Sequence, residues 1–500
     1  MRKKKLLLNS VTSLFGQCIS VICGFLTTRF ILTTFGSDIN GLVSSITQFL
    51  SFITFLEMGI GAVVKSALYK PLSDKDEYKI SLIVASTRRF YRKIATILII
   101  YTIALAVIYP FIENSEFDFL FTATLVLIIS ISLFAQYYFG TPYQLLLNAD
   151  QKTYIPTLLN TGTLLISTVL SVTLMFLGAS IHIVKLCTSL VYILRPFGLN
   201  LYVRKYYDIN EKIKVETEPL TQKWDGIAQH IAYVVLNNTD VAVLTVFSTL
   251  ANVSIYSVYH NVLIGVQQII SCVSIGASAA IGNVLYSENK DILHKDFFLM
   301  EWLFHVGTIL LFTITGIMII PFVTIYTSDV TDTNYILPVF AVLITLAQAS
   351  YSIRIPYETI VLAANKFKET KVSAIIEAVL NIVISIIFVS SFGLSGVAIG
   401  TLFAMSYRTL YFVYYLHNNI LIYPYKRFAK LLLEDVLQVV LCVIVCSTML
   451  QVDISKMTWE LWIFQATETS IICIIICFIV NYLFERQMIE SILHIGLSRG

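Results

Sequence analysis

Long apolar runs, separated by short polar connections, occupy most of this chain. A helix that crosses a bilayer needs about 20 predominantly apolar residues, because it rises about 1.5 Å per residue through a hydrocarbon layer about 30 Å thick. Fourteen stretches meet that length: 11–35, 40–64, 91–112, 118–140, 156–178, 181–203, 226–248, 254–284, 299–325, 335–358, 371–390, 394–416, 430–450 and 461–484. The second and eighth are the least uniform, with glycine and polar residues toward their ends. The pattern predicts an all-α polytopic membrane protein with fourteen transmembrane helices.

The lysines and arginines test that count independently, since basic residues collect on the cytoplasmic side. With the N-terminus inside, Arg2, Lys3, Lys4 and Lys5 are cytoplasmic. The connection between spans two and three then holds Lys65, Lys70, Lys75, Lys79, Arg88, Arg89, Arg92 and Lys93. Every later even-to-odd connection also carries basic residues, from Lys152 to Lys426, Arg427 and Lys430. The opposite face has Lys456 together with the acids Glu113, Glu116, Asp118, Asp329 and Asp332. A miscounted helix would invert this alternation, so both termini are expected to be cytoplasmic.

Composition narrows the class. Of 500 residues, 57% are hydrophobic and 13% charged, against about 25% charged in soluble domains. This excludes a soluble or disordered protein, and the basic loops need no nucleic-acid partner once the positive-inside rule accounts for them. The start, Met1-Arg-Lys-Lys-Lys5 before an apolar run, imitates a signal peptide but lacks a convincing small-x-small cleavage site, so a retained first helix is expected. All eight cysteines lie in apolar stretches. Cys442/Cys446 and Cys473/Cys477 share helix faces at i,i+4 and read as small packing residues, with no metal site. No Walker A, HExxH, nucleophile elbow or dinucleotide fingerprint occurs, so neither an ATPase nor an enzyme is expected.

The longest polar stretch, about 204–225, follows span six. It divides the chain into an N-terminal six-helix bundle (1–208), a C-terminal six-helix bundle (225–420) and two additional helices (421–500). A shift of 217 residues lays span two on span eight, matching Gly59 with Gly276, Ala62 with Ala279, Leu68 with Leu285 and Tyr69 with Tyr286. That is the sign of a parallel repeat, of a kind known in transporters. Gly396 and Gly400, at GxxxG spacing, permit close helix approach.

Ionisable residues within spans are costly and usually face a bundle interior or a water-filled cavity. Here they are Arg29, Glu57, Lys185, Asp240, Arg354, Glu377 and Arg408, with His182, His230 and His260. At the rise of a helix, Arg29 and Lys185 lie in the outer part, Arg408 near the middle, and Glu57, Arg354 and Glu377 toward the cytoplasm. Cations in both halves would make a shared cavity cationic, and a guanidinium fork suits phosphate oxygens. Interhelix ion pairs and snorkelling to the interface are the plainer alternatives. A buried acid can titrate near neutral pH. Glu57 or Asp240 is therefore expected to carry a coupling proton, or to help hold a sodium ion.

Several segments together resemble the polysaccharide flippases of the multidrug/oligosaccharidyl-lipid/polysaccharide (MOP) exporter superfamily, whose drug-exporting branch is the MATE family. These are Arg29-Phe-Ile-Leu-Thr-Thr-Phe-Gly36, Asn40-Gly41-Leu42, Leu56-Glu-Met-Gly59-Ile-Gly-Ala62, the loop Asn148-Ala-Asp-Gln-Lys152, Asn237-Asn-Thr-Asp240 with Val253-Ser-Ile-Tyr256, and Gly393-Leu-Ser-Gly396-Val-Ala-Ile-Gly400. The resemblance covers about residues 1–420. It implies two six-helix lobes working by alternating access, without a cofactor, in a bacterial cytoplasmic membrane. The implied substrate is an undecaprenyl-pyrophosphate-linked oligosaccharide. On that view Arg29, Arg354 and Arg408, with Lys185, attract pyrophosphate or acidic sugars, and Glu57, Asp240 and Glu377 serve coupling or gating. Membrane lipid, a polysaccharide polymerase and glycosyltransferases are the expected partners. The alternatives are an ion-coupled small-molecule exporter of the same superfamily, a peptidoglycan-precursor flippase, and a membrane-embedded glycan polymerase. The last would need an external loop or catalytic cluster not visible here.

Overall fold

The structure, a computed structural model, describes residues 2–57, 60–113, 117–210, 213, 227–285, 290–364, 366–421, 424–450 and 456–497. Those residues are helical throughout, apart from short connections, and all fourteen predicted spans are helices. Among the described residues, eleven helices are long and apolar enough to cross a membrane by length and composition. The chain forms two compact units, Met1–Ser254 and Ile255–Gly500.

In the first unit, span one is α1 (Arg2–Phe35). Span two is broken: α2 (Ser37–Ser51), a 3₁₀ turn (Phe52–Glu57) and α3 (Ile60–Asp74). Span three is α4 (Glu77–Ile112). Span four is also interrupted, as α5 (Phe119–Ala135), a π-helical turn (Gln136–Gly140) and α6 (Thr141–Ala149). Spans five to seven are α7 (Tyr154–Phe176), α8 (Ile181–Tyr206) and α9 (Ile227–Phe247). Span eight, α10 (Leu250–Leu285), crosses the unit boundary and is continuous where span two is broken. Side chains of the repeat positions Gly59, Ala62, Gly276, Ala279 and Tyr286, and of His230, lie outside the described residues.

The second unit holds α11 (Lys290–Tyr326), α12 (Pro338–Ala363), α13 (Phe367–Phe392), α14 (Leu394–Asn419), α15 (Tyr425–Met449), α16 (Trp459–Phe484) and α17 (Arg486–Leu497). Tight hairpins join some of these helices. Gly36 (φ 87°) is the single link between α1 and α2, and Gly393 (φ 55°) the single link between α13 and α14. A Cβ is disfavoured in both conformations. Asp76 and Thr458 start α4 and α16 by accepting from the Lys79 and Leu461 amides at 3.0 and 3.3 Å, satisfying donors that a helix start leaves open.

Lipid tails are as apolar as leucine, so close packing and polar contacts must hold these helices together. The outward residues of α4 fit that solvent: Ile100, Ile103, Val107, Ile108 and Phe111 are exposed. Inside, a Cβ on Gly396 or Gly400 would collide with Phe388 or Ser385 of α13, so the GxxxG pair is where α13 and α14 nearly touch. Gly41 of α2 has the same relation to the Leu250 carbonyl.

Candidate functional site

A buried charge cluster lies in the second unit, on α12, α13 and α14. Arg354 (α12) is 2% exposed, Glu377 (α13) 2% and Arg408 (α14) 5%. Glu377 bridges the two arginines: Arg354 Nη1 donates to its Oε1 at 2.5 Å, and Arg408 Nη1 to its Oε2 at 2.9 Å. Glu358, one turn beyond Arg354, is the more open member. It approaches Arg354 Nε at 3.4 Å and Arg408 Nη2 at 3.8 Å, too long for strong hydrogen bonds. The guanidiniums also lie over the rings of Tyr351 and Phe412, 4.3 and 5.0 Å from their centroids.

Two arginines and two glutamates balance, so the cluster is neutral as arranged. Both arginine Nε–H groups are nevertheless buried without an acceptor among the described residues. The cluster therefore has donors to spare, on planar forks suited to phosphate or carboxylate oxygens. Glu377 is fixed between two cations, whereas Glu358 is loosely held and half-buried, the arm an incoming anion would displace. The tight approach of α13 and α14 sits on the same two helices, and Asn381 donates to Thr401 at 3.1 Å one turn from the cluster.

The other sequence-predicted residues lie in the first unit. Arg29 is half-buried near the end of α1, and Lys185 is half-buried near the start of α8. They flank a small apolar cluster of Ile31, Met175 and Val184. Among the described residues no ion-pair or hydrogen-bond partner accompanies Lys185. Glu57 ends the 3₁₀ turn of span two and accepts from the Tyr137 hydroxyl in the π-helical turn of span four. Both broken spans thus meet at one carboxylate. Asp240 is buried on α9, along the polar seam with α2. There Asn238 Oδ1 accepts from Gln48 and from Ser51, the latter at 2.6 Å, and Ser45 and Thr245 share a hydrogen bond of 2.5 Å. His182 has a packing role, bonded to Thr124 and the Phe121 carbonyl at 3.0 and 2.9 Å.

A second buried network went unread in the sequence. His305 Nδ1 donates to Asp435 at 2.6 Å, and its Nε2 lies 3.1 Å from the Tyr357 hydroxyl. Tyr357 donates to Glu301 at 2.7 Å, and Arg427 Nε donates to the other Glu301 oxygen at 2.8 Å. Because Tyr357 gives its proton to Glu301, every contact is satisfied only when both ring nitrogens of His305 carry hydrogen. Two anions then balance two cations. Trp302 donates to Asn481 at 2.7 Å, one helix further. These bonds fasten α15 and α16 to α11 and α12. The signal available in the sequence was Glu301 and His305 at i,i+4 inside an apolar span, with Glu434-Asp435 in another.

No protein-family description matches the sequence, and no curated protein does. Solved structures do match. The lipid II flippase MurJ, in an inward closed conformation, superposes with a TM-score of 0.75 at 18% identity, over 97% of this chain and 100% of that one. An inward-facing multidrug-resistance MATE family transporter of the MOP superfamily gives 0.61 at 12% identity, over 82% of this chain and 98% of that one. A Vibrio cholerae MATE transporter gives 0.58 at 14%, over 83% and 98%. At these identities the likeness is one of fold: this chain has the multi-pass membrane fold shared by MOP-superfamily transporters.

Proposed function

We propose that the protein is a flippase that moves a lipid-linked oligosaccharide, carried on undecaprenyl pyrophosphate, from the cytoplasmic to the outer leaflet of a bacterial membrane. Both termini are then cytoplasmic, as the distribution of basic residues requires. The observation that carries the reading is the buried Arg354–Glu377–Arg408 cluster, with two unused guanidinium donors and a displaceable Glu358. A site built this way accepts phosphate or acidic sugar oxygens, and once Glu358 is displaced its remaining charge is cationic, which suits an anion better than the cationic compounds expected of a drug exporter. The fold likeness to a lipid II flippase over nearly the whole chain supports a lipid-linked cargo. Arg29 and Lys185 of the first unit are the further cations offered to it. Glu57 and Asp240, each held among polar neighbours inside the bundle, are the groups proposed to couple transport to a proton or sodium gradient by alternating access.

The test is flipping of a labelled lipid-pyrophosphate oligosaccharide in proteoliposomes, with and without each gradient. Arg408→Ala and Arg29→Ala are expected to abolish it in folded protein. Glu358→Gln, which removes the competing carboxylate and spares the Glu377 bridge, is expected to tighten substrate binding. Absence of flipping by the intact protein, alongside export of small organic cations, would overturn the proposal in favour of an ion-coupled small-molecule exporter.

A further inference from the structure

We propose a binding site for the phosphate headgroup of an anionic phospholipid at the cytoplasmic end of α4, separate from the arginine–glutamate cluster. A cavity of about 390 Å³ opens there, lined by Arg88, Arg89, Arg92, Lys93, Thr96 and Ile213. The spacing 88, 89, 92, 93, 96 keeps one side of the helix, since residues four apart are stacked neighbours. Arg88 and Arg92, and likewise Arg89 and Lys93, are like-charged i,i+4 pairs, which disfavour the helix unless an anion answers them. Among the described residues no carboxylate is paired with Arg89, Arg92 or Lys93, and no acid is among the residues lining the cavity.

Two of the four cations are held in place rather than left to wander. Arg88 donates to the Tyr143 hydroxyl and lies over that ring, 5.3 Å from its centroid. Arg92 lies over Tyr138 at 5.0 Å. Tyr138 lies within the π-helical turn that interrupts span four, and Tyr143 follows it in α6 and is buried. The local departure from α-helix thus sets the orientation of the cup, as such turns often do at functional sites.

Depth identifies the source of the phosphate. From Lys93 to the end of α4 at Ile112, the rise of about 1.5 Å per residue gives about 29 Å, the thickness of the hydrocarbon layer. The cup therefore lies level with the cytoplasmic headgroups, and the exposed Ile97, Ile99 and Ile100 just beyond it would meet the acyl chains. A phosphate group at that level belongs to a lipid. The positive-inside rule asks for basic residues on this side, but it does not ask for concavity, ring-stacked guanidiniums or a lining without an acid among the described residues.

Native mass spectrometry and nanodisc titration of the full chain test the proposal, using phosphatidylglycerol or cardiolipin against phosphatidylcholine. Each cation near the surface is worth a factor of about five, so Arg89→Gln/Lys93→Gln should weaken anionic-lipid retention roughly thirtyfold. These side chains are exposed and lack the tyrosine contacts, so the variant should stay folded, checked by its elution profile. Arg204→Gln/Lys205→Gln removes the same charge from the cytoplasmic end of α8 and should change retention little. Equal losses in both variants, or none in the first, would overturn the site. So would displacement of the lipid by millimolar inorganic phosphate or pyrophosphate, which would identify a soluble anion as the ligand.

Discussion

Replacing Glu377 with glutamine is the sharpest test of the buried cluster. The carboxylate is 2% exposed and holds two guanidiniums at 2.5 and 2.9 Å. At an effective dielectric of about 20, each pair some 4 Å between charge centres is worth about 4 kcal/mol, before the cost of desolvating three ions. Removing the carboxylate leaves two buried cations with the loose Glu358 for company, a net charge of +1. Breaking a buried pair in this way typically costs about 3–5 kcal/mol. The double variant Glu377→Gln/Arg408→Gln restores neutrality, because Arg354 keeps Glu358. It should therefore be destabilised by less than the sum of the single variants, with a coupling above about 2 kcal/mol. Unfolding can be followed by tryptophan fluorescence, since Trp302, Trp459 and Trp462 all lie in the second unit. Single-variant effects that add within about 0.5 kcal/mol, the behaviour of independent sites, would refute the bridge.

Other consequences follow from contacts elsewhere. Gly400→Ala places a Cβ 2.8 Å from the Ser385 amide nitrogen, so α13 and α14 must separate. The expected loss is about 1–3 kcal/mol, seen as a lower apparent Tm, and Ser385→Gly should rescue only part of it because the backbone clash remains. Asp435→Asn removes the negative charge that balances the protonated His305 and should cost about 3 kcal/mol; limited proteolysis should then cut between α14 and α15 first. On the turn after α6, burial works to raise the Asp150 pKa, but the hydrogen bonds from Lys152 and Tyr207 outweigh it and hold the carboxyl below its ordinary value. A lowered folded-state value stabilises above the unfolded pKa, and that stability is lost as pH falls through the folded one. Asp150→Asn should therefore lower the apparent Tm at pH 7 and leave it little changed near pH 2–3.

Hydropathy read the lipid-facing stretches well because it measures the solvent a helix meets. It does not measure where a helix ends, which is why α4 begins at Glu77 rather than at 91 and α11 at Lys290 rather than at 299. Those extensions mix charged residues with buried apolar ones, such as Ile80, Ile83 and Val84 of α4 and Phe297 of α11, which pack against the protein. The breaks in spans two and four fall beside the helix breakers Gly59, Gly61 and Thr141-Pro142, but hydropathy alone passes over them, since Phe52–Glu57 and Gln136–Gly140 are about as apolar and aromatic as their neighbours. In the candidate site, Arg354, Glu377 and Arg408 stood out singly as charges that lipid would not tolerate. Their joining did not, because hydropathy says nothing about which helices adjoin. Glu301, His305 and Asp435 were passed over because each sits within two turns of a span end, where an interfacial residue is the ordinary expectation.

The clasp between α11 and the last two spans also sets a timetable. His305 and Asp435 are 130 residues apart, and Trp302 and Asn481 are 179 apart. A ribosome adding about 5–20 residues per second leaves the histidine without its carboxylate for on the order of ten seconds, and the tryptophan without its amide for longer. During that interval the polar stripe of α11 is already committed to the membrane while its partners do not yet exist. The second unit is thus finished from its newest end, and a stall between α14 and α15 leaves an intermediate whose polar stripe lacks these partners.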